Sequence, residues 1–135
     1  MKITEVKAIY PKYKKIPVSW RTNFWQIVVR IESDNGYVGF GFGGGGIASE
    51  AIVNSHFRDL LIGQQVDSIF DIQRIWDMLY DASLPYGRKG IAIMALSGVD
   101  LALYDLLGKA FKEPVHQLIG GKIKDEVDCY VTGSD

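Results

Sequence analysis

The run Gly41-Phe42-Gly43-Gly44-Gly45-Gly46 satisfies the spacing G-x-G-x-x-G. In a nucleotide-binding loop, that spacing brings backbone N–H groups against a pyrophosphate at a helix N-terminus. The fingerprint also needs a parallel strand–helix–strand unit and an acid about 20 residues further on, at the end of the second strand. Here the run follows the return arm of an Asn-Gly hairpin, and Asp59, at roughly that distance, falls inside a helical pattern. The glycines read better as a flexible loop able to lie over something, because glycine has the widest backbone freedom. The two histidines, His56 and His116, have no second His or Cys nearby at metal-ligand spacing and read as structural. Asp67, Asp71, Asp77 and Asp81 are dispersed on a helix, mostly on its solvated side, and Asp125-Glu126 borders a strand. Cys129 cannot build a thiolate site alone, and its apolar setting marks it as a core residue. Proton abstraction would need a positioned base and an electrophile for the developing oxyanion. Neither can be assembled from these residues.

The elements that position these groups follow from periodicity. Residues 2–10 alternate imperfectly, with Ile3, Val6, Ala8 and Tyr10 on one side, and favour a strand. Pro11 to Pro17, with Lys12, Lys14 and Lys15, opens a loop that runs to about Asn23. Residues 24–32 are strongly β-prone, Asp34-Asn35-Gly36 is a hairpin turn, and 37–42 form the return strand. The period then becomes helical over 49–62, with Gly63 as the stop. Asp67 or Ser68 caps a second helix carrying Ile69, Ile72, Trp76 and Leu79, which Leu84-Pro85-Tyr86-Gly87 breaks. A third helix runs from about Gly90 to Gly108. Its stripe of Ala92, Ala95, Gly98 and Ala102 lets another backbone approach closely. The fold class is therefore α+β: a three-stranded antiparallel meander followed by a helical bundle. Residues 126–132 form one further strand, read as the first piece of a second domain.

The 135 residues allow one domain and little more. The apolar fraction of 47% and charged fraction of 23% are those of a globular chain. The basic loop with Trp20, Arg21, Phe24 and Trp25 suggests nucleic acid, but 15 basic against 16 acidic residues leave no electrostatic footprint for one, nor for an anionic membrane. The opening residues lack the apolar run of a signal peptide, and a single cysteine suits a reducing compartment. The expected location is the cytoplasm.

One stretch is more specific. Ala95-Leu-Ser97-Gly98-Val-Asp100-Leu-Ala102-Leu103-Tyr-Asp105-Leu-Leu-Gly108-Lys109, continued by Pro114-Val115-His-Gln-Leu118-Ile119-Gly120-Gly121, resembles the first signature of the mandelate racemase/muconate-lactonising branch of the enolase superfamily. The Met-Lys-Ile-Thr opening and the Asn-Gly hairpin running into Gly-Phe-Gly resemble the same branch. Tyr86-Gly87 to Gly90, and Tyr130-Val-Thr-Gly133, are most similar to its acid-sugar dehydratases, the rhamnonate type above all. Tyr104 stands where such enzymes usually carry tryptophan, so the aromatic character is kept.

The resemblance implies an N-terminal capping domain, residues 1–121, and a linker with the first strand of a (β/α) barrel, residues 122–135. It implies that the missing barrel holds Mg²⁺ and the acid/base residues at its strand ends, so that catalytic and metal-binding residues number none in this chain. The metal would stabilise an enediolate formed by removing the proton α to a carboxylate. Dehydratases then eject the β-hydroxyl; racemases, epimerases and cycloisomerases take other exits. Two lid loops correspond to Ile16–Asn23 and Gly43–Ser49, with Trp20, Arg21, Asn23, Gly44 and Gly45 as the substrate-binding residues. Arg21 is the candidate to meet a substrate carboxylate or hydroxyls, since its fork geometry suits them. The implied partners are a small sugar acid, the chain's own barrel domain and a second copy in a homo-oligomer, with no nucleic acid or membrane. The fragment alone is expected to be inactive. A standalone α+β interaction module without chemistry is the reading from a different class.

Overall fold

The computed structural model describes residues 1–11 and 25–131. β1 (Ile3–Ile9), β2 (Ile27–Ser33) and β3 (Val38–Gly43) form an antiparallel sheet in the order β1-β2-β3. Ile3, Val6 and Ala8 of β1 and Ile27, Val29 and Ile31 of β2 are buried on one face. The imperfect alternation of β1 has a local cause: the register shifts between Ile3 and Glu5. Such an irregularity re-aims the following side chains, so Ile3 and Val6 share a face although three residues apart. At the hairpin, the Gly36 N–H donates to the Ser33 carbonyl at 3.0 Å, and Gly36 has φ 82°. Asn35 is not left-handed, so glycine alone supplies the positive φ, as in a type I turn closed by a glycine bulge.

Helices cover the buried face. The segment expected as one helix is α1 (Gly46–Ile52), a π-helical turn (Val53–Phe57) and α2 (Arg58–Leu61) in succession. Gly63, with φ 84°, ends it as expected, and its N–H donates to the Ile3 carbonyl at 2.8 Å. α3 (Ile69–Ser83) is capped by Ser68, whose hydroxyl accepts the Asp71 N–H, and it buries Ile72, Ile75 and Leu79. α4 (Ile91–Phe111) is the longest helix and packs along β3 and β2. By length and composition it could cross a membrane, but 56% of that stretch is buried in this fold. A short α5 (Val115–Leu118) follows.

Three expectations about the C-terminal half are corrected. α4 does not stop at Gly108; it runs on to Phe111 and ends where Lys112 turns left-handed at φ 58°. Gly108 is glycine for proximity: a Cβ there would lie 2.8 Å from the Glu113 carbonyl oxygen. Cys129 is not a core residue but is exposed. Residues 126–131, read as a strand from their alternation, form no ladder with any described residue. Alternation makes a chain competent to be a strand; only a neighbour's N–H and C=O groups make it one.

Candidate functional site

The glycines of β3 lie against α4. A Cβ on Gly39 would sit 2.1 Å from the Ala102 carbonyl oxygen, one on Gly41 would sit 2.2 Å from that of Gly98, and one on Gly43 would sit 2.6 Å from that of Met94. Every second residue of the strand meets every fourth residue of the helix, so strand and helix backbones are in direct contact along this line. The first half of the glycine motif thus serves close packing, not phosphate. The signal was in the sequence, as glycines at strand spacing and a small-residue stripe at helical spacing.

Beyond Gly43 the run turns to form one end of the domain. Gly45 and Gly46 have φ 83° and 57°, a conformation glycine adopts freely. The Gly46 N–H donates to the Trp25 carbonyl at 2.8 Å, and a Cβ on Gly46 would lie 2.7 Å from the Trp25 ring. The buried Ser49 hydroxyl donates to the Ile91 carbonyl at 3.0 Å. The start of β2, the glycine turn and the first turn of α4 therefore meet at one place. Between them is a shallow cleft of about 370 Å³ lined by Gln26, Phe42, Gly43, Gly44, Met94 and Ser97, among others.

Of the expected lid residues, Gly44 and Gly45 are at this end and partly exposed. Trp20, Arg21 and Asn23 lie outside the described residues. The glycine turn is not slack: left-handed backbone, the bond to Trp25 and the Ser49–Ile91 bond all fix it. His56 pairs with Tyr86, Nδ1 to hydroxyl at 2.8 Å, and burial pushes the Tyr86 phenol up from its ordinary range. His116 is exposed on α5. Asp67, Asp77 and Asp81 are exposed, whereas Asp71, in the first turn of α3, accepts the Asp67 N–H and the Ser68 hydroxyl on its carboxylate. Among the described residues, no group of three or more His, Cys, Asp or Glu side chains converges where a metal ion could be held.

A three-stranded antiparallel sheet backed on one face by helices defines a small α+β domain. Residues 3–120 match the family model described as Mandelate racemase / muconate lactonizing enzyme, N-terminal domain. The chain belongs to that family, as the N-terminal domain of an enolase-superfamily protein. It is 42% identical over 126 residues to the L-rhamnonate dehydratase of Saccharopolyspora erythraea, covering 93% of this chain and 32% of that protein. The crystal structure of L-rhamnonate dehydratase from Gibberella zeae superposes with a TM-score of 0.76 at 36% identity, covering 91% of this chain and 35% of that one. A second structure of the Gibberella zeae enzyme, at 33% identity and TM-score 0.76, is complexed with Mg; it covers 91% of this chain and 37% of that one. The 3,6-anhydro-D-galactonate cycloisomerase from Zobellia galactanivorans gives a TM-score of 0.77 at 28% identity, covering 90% and 32%. The chain spans about a third of the length of the relatives it matches.

Proposed function

We propose that this chain is the capping domain of a Mg²⁺-dependent enzyme that removes the proton α to a carboxylate, an acid-sugar dehydratase of the rhamnonate type. The observation that carries this reading is the 42% identity to an L-rhamnonate dehydratase across nearly the whole chain, together with coverage of only a third of that relative. In this reading Mg²⁺ and the acid/base residues belong to the remainder of the polypeptide, and residues 122–135 begin the barrel. The present residues form the lid. The glycine turn at Gly44 and Gly45, and the loop holding Trp20, Arg21 and Asn23, close over a sugar acid and exclude water. The rigid turn beside Trp25 supports this role, because a lid that contacts substrate must hold its shape on closing.

The test is a screen of the complete polypeptide against an acid-sugar library with Mg²⁺, reading dehydration, racemisation and cycloisomerisation separately. Dehydration of L-rhamnonate or a close relative is the expected result, with no turnover by the 135-residue chain alone. Turnover in the racemisation or cycloisomerisation channel alone would replace the dehydratase reading. Arg21→Ala in the complete enzyme should raise KM or lower kcat; unchanged kinetics would remove Arg21 from the lid.

A further inference from the structure

α4 carries more apolar surface than its partners in this chain cover. One side packs on β3 through Gly98 and Ala102, and the core side holds Leu96, Val99, Leu103 and Leu107. The remaining side presents Met94, Ser97 and Leu101, with Met94 and Leu101 exposed at 44% and 47%. On a helix that faced water, the positions of Met94 and Leu101 would be charged or polar, as Ser97 is. Asp100 and Tyr104, one turn apart, flank this seam half-buried. No hydrogen bond or ion pair to Asp100 is formed among the described residues, and burial raises its carboxyl above the ordinary range. Burial beside Asp100 likewise raises the Tyr104 phenol. A desolvated carboxylate is costly, and the seam next to it is apolar; both costs are relieved by one kind of surface.

We infer that the Met94–Ser97–Leu101 seam of α4 docks the remainder of the polypeptide, through an apolar surface carrying a lysine or arginine that pairs with Asp100. The inference rests on the reading of this chain as one domain of a longer enzyme. The occupant is chosen on two grounds. The relatives run to about three times this length, so most of such a protein lies outside the part matched here. Asp100, unpaired among the described residues, is also an anionic group beside an apolar strip, whose cost a cation delivered on a fixed apolar surface would offset.

Hydroxyl-radical footprinting of Met94 provides the test, run on the 135-residue chain and on the complete polypeptide over a range of concentrations. The expected result is several-fold slower oxidation of Met94 in the complete polypeptide, independent of concentration. Equal oxidation in both overturns the inference. Protection in the 135-residue chain that grows with concentration also overturns it, by assigning the seam to a second copy. Asp100→Asn supplies the charge test. It should raise the melting temperature of the 135-residue chain at neutral pH, since a desolvated charge is removed, and lower that of the complete polypeptide, since the ion pair is lost. An increase in both overturns the ion pair. None of these readouts depends on turnover, so a polypeptide with docked Met94 but no dehydratase activity would sink the functional reading and leave this one standing.

Discussion

The Asp105 carboxylate accepts the Phe40 backbone N–H at 2.7 Å and the Lys109 ammonium at 2.6 Å, and Lys109 donates in turn to the Val38 carbonyl at 2.9 Å. β3 is an edge strand, and these two side chains of α4 occupy backbone groups on its open side. Asn54 does the same at the opposite edge. Its Oδ1 accepts the Ala8 N–H at 2.7 Å and its Nδ2 donates to the Ala8 carbonyl at 2.9 Å. Both edges of the sheet are thereby blunted by side chains from helices, which removes a template for pairing with another chain.

Asp105→Ala should destabilise the chain by about 0.5–1.5 kcal/mol, the usual net worth of such a bond at a partly solvated site. Lys109→Met should cost less, since exposed ion pairs are worth about 0–1 kcal/mol. Urea unfolding monitored by circular dichroism measures both. Equal or reversed costs would mean that the carboxylate is not the group holding the edge.

Asn54→Ala removes two bonds to one residue in a half-buried place and should cost about 1–3 kcal/mol. Asn54→Asp keeps the acceptor for the Ala8 N–H but sets a carboxylate oxygen against the Ala8 carbonyl. It should be no better tolerated than alanine at neutral pH. Thermal melts of the two variants side by side decide this.

Gly41→Ala and Gly36→Ala separate two reasons for glycine. At Gly41 a Cβ would lie 2.2 Å from the Gly98 carbonyl oxygen, so β3 and α4 must move apart. The expected cost is about 1–3 kcal/mol or more. At Gly36 nothing lies within 4 Å of a Cβ, and only the φ of 82° is at stake, worth about 1–2 kcal/mol. Near-ultraviolet circular dichroism should change for Gly41→Ala and not for Gly36→Ala, because only the first disturbs tertiary packing.

Asp71 sets a pH dependence. The Asp67 backbone N–H and the Ser68 hydroxyl both donate to its carboxylate and hold it below the usual range. A carboxyl with a folded-state value below its unfolded value adds stability above the unfolded value, about pH 4. That stability is lost as the pH falls through the folded value. Asp71→Asn should therefore lower the unfolding midpoint at pH 7, and its deficit against the parent chain should shrink in acid. A deficit that stays constant from pH 7 down to pH 2 would show that the Asp71 charge does not stabilise the start of α3.

The amino-acid sequence by itself determined the strand order, the hairpin, a cap at Asp67 or Ser68, the Gly63 stop and the family, because each rests on neighbours within one turn or one motif. Hydrophobic period, turn residues and a contiguous signature all act over short spans of chain. Tertiary structure alone decided what the glycines do. Read along the chain, Gly41 to Gly46 is a loop or a phosphate cradle; folded, its first half is the surface on which Met94, Gly98 and Ala102 rest. It likewise decided that Asn54 and Asp105 guard the sheet edges, across 46 and 65 residues of chain. It left residues 126–131 without a ladder partner among the described residues and Cys129 exposed. The physical reason is common to all of these. A local pattern fixes which conformation a segment can adopt, whereas contact with a distant backbone fixes which of its groups are used.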